Sequence, residues 1–363
     1  MAMPIRIPAE ELLRFAGEIF ESAGLDPAEA RDAAEVLVWA DARGIRSHGM
    51  TNLAEIYVPK LRSGEIRAGA PWEEVSRFGT TALYSAHGGL GLLSGRRAMA
   101  EAIAIAAEHG VGCVAVREST HFGPAGFYAE MALGSQQIGV AMTNLGGRAV
   151  AAPIGGSACL GTNPIAVAAG DPDRPFYSFD ASTTVVATGK IKEAARRGEP
   201  VPEGWLYRRD GEPTRDPAEY LSGAALPPAL GGAVETGGFK GFGYNLLVEL
   251  LCGLLTGGPI ALDADSPDRP ENEGIGHFFL ALNVEGFRAP EPFCDAVTAA
   301  MTGYRDRGRR EDWRGLTYPG APEAEKLDRS SREGVLVDDI LLGRMADLAR
   351  LLNVNPIMEK DAE

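Results

Sequence analysis

Two histidines stand where an imidazole could be put to chemical use. His48 lies in Arg43-Gly44-Ile45-Arg46-Ser47-His48-Gly49-Met50, where a strong helical pattern stops and a hydroxyl and an arginine stand close by. His121 lies in Glu118-Ser119-Thr120-His121-Phe122-Gly123, just after an apolar run that ends at Val116. Imidazole titrates near neutral pH and can pass a proton to or from an oxygen. Either residue alone is as well explained as a hydrogen-bonded structural histidine. The two together, in similar polar and glycine-flanked settings, point to acid/base chemistry. His87, His109 and His277 lack such surroundings and read as structural.

Thr143-Asn144-Leu145-Gly146-Gly147 and Gly161-Thr162-Asn163-Pro164 each place an amide side chain at a turn beside a strand. Asparagine can bond a ligand carbonyl or carboxylate, and it can equally stabilise a turn through its own backbone. Lys240, within Gly237-Gly238-Phe239-Lys240-Gly241-Phe242-Gly243, opens a helix among glycines, a setting that suits a phosphate. A surface lysine in a flexible turn is the alternative. Gly89-Leu90-Gly91-Leu92-Leu93-Ser94-Gly95 imitates a dinucleotide fingerprint but sets its last glycine one residue too far, so a tight strand-to-helix turn explains it better. The sequence has no G-x-S-x-G elbow, H-E-x-x-H pair or complete P-loop, which argues against covalent hydrolases and zinc proteases.

Such residues need a framework, and 363 residues with 45% hydrophobic content can supply a large core, as two domains or one with an insertion. The 50 acidic residues against 35 basic ones give a net charge of −15, which repels nucleic acid and anionic lipid. Arg305, Arg307, Arg309 and Arg310 are interrupted by Asp306, Glu311 and Asp312 and read as a solvated face. Cys113, Cys159, Cys252 and Cys294 lie far apart in apolar surroundings and read as reduced core residues. No export signal is visible, and the apolar runs near 102–107 and 246–255 fall short of the ~20 residues of a membrane span, so a cytoplasmic protein is expected.

Leu12, Phe15, Ala16, Ile19 and Phe20 mark the buried stripe of a first helix, and Asp26-Pro27 starts a second that runs out at Gly44. A third helical stretch covers roughly 54–61. From about residue 72 short β-branched runs predict strands at 82–85, 111–116, 138–143, 165–169 and 176–180, with helices over 92–109 and 124–133 between them. Residues 196–232 predict a long surface excursion, mobile or interface-forming, and 263–274 an exposed acidic loop. Tyr244 to Leu255 is apolar nearly all round and predicts a buried helix. His277 to Val284 predicts a strand, and 339–352 a packed helix.

Taken in order, Arg43 to Gly49, Thr120 to Gly123, Thr143-Asn144, Leu160 to Ala166, Asp180 to Thr183, Gly189-Lys190 and Lys240 to Gly243 resemble the type-2 malate/L-lactate dehydrogenase family across almost the whole chain. The order and spacing of these motifs, more than any one of them, carry the likeness. The resemblance implies an α/β fold unrelated to the Rossmann domain, with a mainly helical domain from both chain ends (1–75 plus 235–363) around an inserted α/β cofactor-binding domain (76–234). It implies NAD or NADP as cofactor, hydride transfer on a small 2-hydroxy or 2-oxo acid, and a homodimer with the active site near the interface. His121 and His48 carry over as catalytic candidates, with Ser47 beside the substrate. Asn52, Thr143, Asn144, Arg46 and Arg148 are candidates for holding the substrate. Thr162, Asn163, Asp180, Ala181, Ser182, Lys240, Gly241 and Gly320 fall in regions matched to dinucleotide contacts.

One departure stands out. Many members have an arginine four residues after the histidine of the S-H-G motif, suited to a bidentate grip on a carboxylate, whereas this chain has Asn52. Arg46 or Arg148 would have to supply the charge, or the substrate differs. The alternatives are therefore a cyclic-imine reductase of the same family and a relative that binds ligand without catalysis.

Overall fold

The computed structural model describes residues 5–266, 274–308 and 317–357. Its helices start and stop where local chemistry demands. Asp26 accepts hydrogen bonds from the Ala28 and Glu29 N–H groups (2.9 and 3.0 Å) and Pro27 opens helix Pro27–Ala42, so two otherwise orphaned donors are satisfied and φ is preset. Helix Ala9–Ser22 buries Leu12, Phe15, Ile19 and Phe20 against it. The strands are β1 (Ile5–Ile7), β2 (Glu73–Phe78), β3 (Thr81–Ser85), β4 (Val111–Ser119), β5 (Gln137–Thr143), β6 (Ile165–Ala169), β7 (Tyr177–Ala181), β8 (Leu206–Arg208), β9 (Pro213–Thr214), β10 (Ala225–Leu226), β11 (Ile275–Asn283) and β12 (Val335–Val337).

Seven strands form the central sheet in the order β2-β3-β4-β11-β5-β6-β7. Only β3–β4 is parallel; every other neighbouring pair is antiparallel. That pattern is not a doubly wound parallel sheet, and it agrees with the non-Rossmann α/β class implied by the motifs. Helices Gly91–His109 and Ala125–Met131 cover one face, closing over Val114, Val116, Ala141, Phe279 and Ala281. The two chain ends meet in the antiparallel pair β1–β12, and helix Asp339–Leu352 packs on helix Ala9–Ser22.

The strand predicted from His277 is β11, and it lies in the middle of the sheet, between β4 and β5. A division of the chain at 234 therefore leaves one sheet strand on the helical side.

Gly91 brings a helix start close to the sheet end. A Cβ there would run into the carbonyls of Thr120 and His121. The Gly89–Gly95 turn is thus a packing device beside His121, as the tight-turn reading expected.

Two expectations need correction. The 196–232 excursion has secondary structure and a small core of its own: helices Thr188–Arg197 and Pro217–Leu221 and the small sheet β10-β8-β9 enclose Val186, Ile191, Val201, Leu206 and Ala225. Strands of two or three residues are too short to show alternation in sequence. The 244–255 stretch is not buried all round. It forms helix Gly238–Val248, a π turn Glu249–Gly253 and a 3-10 turn Leu254–Thr256. Asn245, Val248, Glu249 and Cys252 face inward, while Phe239 (61%), Tyr244 (53%), Leu250 (51%), Leu254 (58%) and Leu255 (59%) stay exposed.

Of the predicted 263–274 loop, residues 267–273 lie outside the described residues, as do Arg309, Arg310, Glu311 and Asp312. No helix among the described residues is long and apolar enough to cross a membrane.

Candidate active site

Helix Pro27–Ala42 ends at a turn that is clamped from within. The Oδ2 of Asp41 accepts the Met50 N–H at 2.7 Å, and Gly49 presses so close that any Cβ would collide with the same carboxylate. Asn52 donates from Nδ2 to the Ser47 carbonyl at 3.0 Å. Between these two holds the chain makes one 3-10 turn, Arg46–His48, which presents Ser47 and His48. The Ser47 hydroxyl lies 2.9 Å from Nδ1 of His48.

His121 reaches the same place from the end of β4. Its ring stacks on that of His48 at 5.8 Å between centroids and 17° between planes. The π turn Leu53–Tyr57 delivers the buried Tyr57, whose hydroxyl is 2.7 Å from Nδ1 of His121. The Gly123 backbone N–H, which can only donate, also points to that nitrogen at 3.4 Å. Nδ1 is therefore an acceptor, Tyr57 donates to it, and a neutral His121 carries its proton on Nε2. Burial, and then like-charge repulsion from His121, push the His48 pKa down to about 3. His48 is neutral at pH 7, so the pair does not hold two positive charges at once.

Asp41 makes the clamp sensitive to pH. Burial pushes its carboxyl up to about 7; the Met50 N–H and Arg46 oppose this and Asp338 adds to it. The ordinary value is 3.8, so between the two values the folded protein keeps a proton that the unfolded chain has lost. Stability on this account falls as pH rises through that window and is flat above it. Asp41→Asn abolishes the slope. The difference in melting temperature between the two proteins should move against the wild type from about pH 4 to about pH 7, and a difference independent of pH would remove Asp41 from this role.

The neighbouring sheet end is packed with polar groups. His277 is fully buried, 2.8 Å from the Thr143 hydroxyl at Nδ1 and 2.8 Å from the Ser119 hydroxyl at Nε2, and it stacks on Phe122 at 4.6 Å. Both ring nitrogens are used, as a structural histidine requires. Burial and the proximity of His121 push its pKa down to about 3. Asn144 and Asn163 are buried as well: Asn144 Oδ1 accepts from the Gly146 and Gly276 N–H groups, and Asn163 Nδ2 faces Asn245 Oδ1 at 2.9 Å. These asparagines hold the turns together. Thr143 serves His277, and the Thr162 carbonyl accepts from the Thr183 N–H.

A second group gathers along the sheet's edge strand, β7. Asp180 accepts the Gly126 N–H at 2.8 Å and keeps one side open to solvent. Enclosure on its other sides, with Glu130 and Glu323 nearby, raises its pKa. Ala181 and Ser182 follow it, half-buried, and Gly320 packs against Ser178. Gly189 opens the adjoining helix beside Ser47; a Cβ on it would come within 3.2 Å of the Ser47 Cβ. Lys240 lies exposed in the first turn of helix Gly238–Val248 and makes no ion pair among the described residues, while Gly241 lies against the backbone of Leu230.

Neither arginine proposed for the substrate carboxylate is drawn to the histidines. Arg46 turns to Asp338 (3.7 Å) and Arg148 to Glu65 (3.6 Å). Asn52, buried and engaged with Ser47, holds the turn.

A family model described as malate/L-lactate dehydrogenase matches residues 7–346. The malate dehydrogenase of Pyrococcus abyssi is 35% identical over 96% of this chain and 96% of its own. The L-sulfolactate dehydrogenase of Methanothermobacter thermautotrophicus is 34% identical over 97% of this chain and 98% of its own. Among solved structures, malate dehydrogenase from Entamoeba histolytica superposes with a TM-score of 0.91 at 28% identity, covering 97% of this chain and 99% of that one.

The chain belongs to the malate/L-lactate dehydrogenase family.

Within this dehydrogenase family, relatives are named for NAD(+) in two cases and for NADP(+) in another. For a dinucleotide, the features this member of the family offers are the solvent-facing Asp180 carboxylate on β7 and the Lys240 ammonium, which makes no ion pair among the described residues. Among the described residues no group of three or more His, Cys, Asp or Glu side chains could hold a metal ion.

Sequence reading missed Tyr57 and Asp41. Tyr57 sits within a helical apolar pattern and looked like core; nothing local signals that a π turn would carry its hydroxyl to His121. Asp41, two residues before Arg43, carried one signal: a carboxylate at the buried end of an amphipathic helix needs a partner.

Proposed function

We propose that the chain transfers hydride between NAD or NADP and C2 of a small 2-hydroxy or 2-oxo acid, with His121 as acid/base and His48 as its polarising partner. The observation that carries this is the stacked His48–His121 pair, with Ser47 on one ring and Tyr57 on the other. When bound, the nicotinamide supplies the hydride donor or acceptor. The chain's own part is to hold the substrate oxygen at the histidines and to move one proton. In reduction His121 Nε2 gives its proton to the substrate oxygen while the Tyr57 hydroxyl passes its own proton to Nδ1, so the charge of the ring is unchanged and the tyrosinate is reprotonated from water; oxidation runs the same relay in reverse. Tyr57 and Gly123 fix that tautomer, and neutral His48 adds an uncharged polar wall.

Asp180, Ala181, Ser182, Lys240, Gly241 and Gly320 are proposed to line the dinucleotide, with Lys240 meeting a phosphate. Thr143, Asn144, Thr162 and Asn163 shape the floor rather than reach for ligand. The division into 1–75 plus 235–363 and 76–234 stands as a proposal, with β11 as the strand that crosses it.

The exposed stripe of Phe239, Tyr244, Leu250, Leu254 and Leu255 supports the homodimer reading, because a second copy of the same face would cover it isologously.

A specific observation favours a second reading. Arg46 and Arg148 lie beside Asp338 and Glu65 in half-exposed ion pairs (3.7 and 3.6 Å), and Asn52 donates to the Ser47 carbonyl. A substrate whose carboxylate is gripped differently, such as a cyclic imine acid, would suit this site. Reduced-nicotinamide absorbance, followed with a panel of 2-oxo acids with and without amine, separates the two. Turnover of 2-oxo acids alone supports the dehydrogenase, amine-dependent turnover supports the imine reductase, and tight nucleotide binding with no turnover on any substrate would overturn both.

A further inference from the structure

The helix that exposes Leu250 and Leu254 has an inner side built around one carboxylate. Glu249 begins the π turn Glu249–Gly253 and is almost fully buried. Its Oε1 accepts from Asn163 Nδ2 at 2.9 Å, its Oε2 accepts from Asn144 Nδ2 at 3.2 Å, and the Ala261 N–H bonds it too. Three segments thus meet on one side chain: the turn after β5, the turn before β6, and the stretch that returns the chain towards β11.

Each asparagine is held in a single orientation. Asn144 Oδ1 takes two backbone N–H groups, so its Nδ2 must face Glu249 and the Pro259 carbonyl. Asn163 sits at φ +39°, an unusual value for a residue with a Cβ, and its Nδ2 is directed at both Glu249 and Asn245. A neutral amide at 249 could accept from one of these donors only; its own NH2 would oppose the other.

The first turn ends β5, the neighbour of β11, and the second opens β6, the neighbour of β5. Thr143, one residue before Asn144, binds His277, and Gly276, which bonds Asn144, is one residue before it. His277 stacks on Phe122, adjacent to His121. We propose that Glu249 is a positioning residue for the reaction, fixing the Thr143-Asn144 and Thr162-Asn163 turns at the sheet end from which His121 emerges. This rests on the proposed function, since it assigns those turns to the floor of that site.

The test compares Glu249→Gln and Glu249→Asp with the wild-type full chain. Asp keeps the charge and both acceptors with a shorter reach; Gln keeps the shape and loses one acceptor. Amide hydrogen exchange over 143–148 and 161–163, cofactor affinity and kcat/KM are measured together. Expected for Gln are faster exchange confined to those two turns and kcat/KM lower by roughly ten- to a hundredfold, with Asp intermediate in both. Unchanged exchange in the two turns overturns the brace. Faster exchange with kcat/KM within about twofold of wild type overturns its role in the reaction. If Gln fails to fold, Asp with wild-type exchange and rate overturns the proposal on its own. A wild-type chain that is inactive on the whole substrate panel overturns the proposed function instead, and this is distinguishable because the exchange result stands apart from turnover.

Discussion

Replacing His121 with alanine is expected to lower kcat by roughly two to four orders of magnitude, the usual contribution of a positioned acid/base, with cofactor binding nearly unchanged. His121 is the better candidate because its tautomer is fixed. Tyr57 and the Gly123 N–H both donate to Nδ1, leaving the proton on Nε2. His48 is neutral and its Nδ1 is occupied by Ser47, so His48→Ala is expected to cost less, roughly tenfold to a hundredfold. Tyr57→Phe serves as the internal control. It releases the tautomer while leaving the ring in place, and should lower kcat without changing cofactor affinity. Steady-state rates with the best substrate of the panel decide the matter. Near-normal turnover in His121→Ala with loss in His48→Ala would exchange their roles, and normal turnover in both would end the mechanism.

The second large effect concerns assembly. Leu250→Asp combined with Leu254→Asp places two charges, one helical turn apart, in the centre of the exposed apolar stripe. If that stripe is the dimer interface, burying two unpaired carboxylates would cost several kcal/mol and dissociate the pair at micromolar concentration. Sedimentation or light scattering should then report a monomer for the variant and a dimer for the wild type. Both positions point away from Glu249, so the variant should keep its fold by circular dichroism. A wild-type monomer, or a variant that remains a dimer, would assign the stripe to something else.

Sequence alone made the frame legible where periodicity is long. The helices at 9–22, 27–42, 91–109 and 339–352 and strands β3 to β7 fall within a few residues of expectation, because amphipathic stripes and β-branched runs record burial directly. It misled over 244–255, where an apolar run was equated with burial; a stripe kept for an interface has the same composition as one kept for the core. The short strands β8 to β10 left no pattern to read.

The site divides along similar lines. His48, Ser47 and His121 were visible because polar residues interrupt apolar runs there, and the structure brings them together. Asn144 and Asn163 were visible as asparagines, but which partner they would take depended on a carboxylate about a hundred residues away in Glu249, which no local pattern announces. Asn52 was conspicuous as a missing arginine, and its bond to Ser47 shows that the position is used to hold the turn.

The place of β11 has a consequence for how the chain is made. During synthesis β4 and β5 leave the ribosome long before the strand that separates them, which follows roughly 130 residues after β5. At about 5–20 residues per second that is on the order of ten seconds in which both strands present an edge of unpaired backbone N–H and C=O groups. They could pair with each other in that time, and such a sheet would have to open again to admit β11. Vectorial folding therefore cannot finish this sheet, and a nascent chain arrested before residue 275 should be captured by chaperones and prone to aggregate.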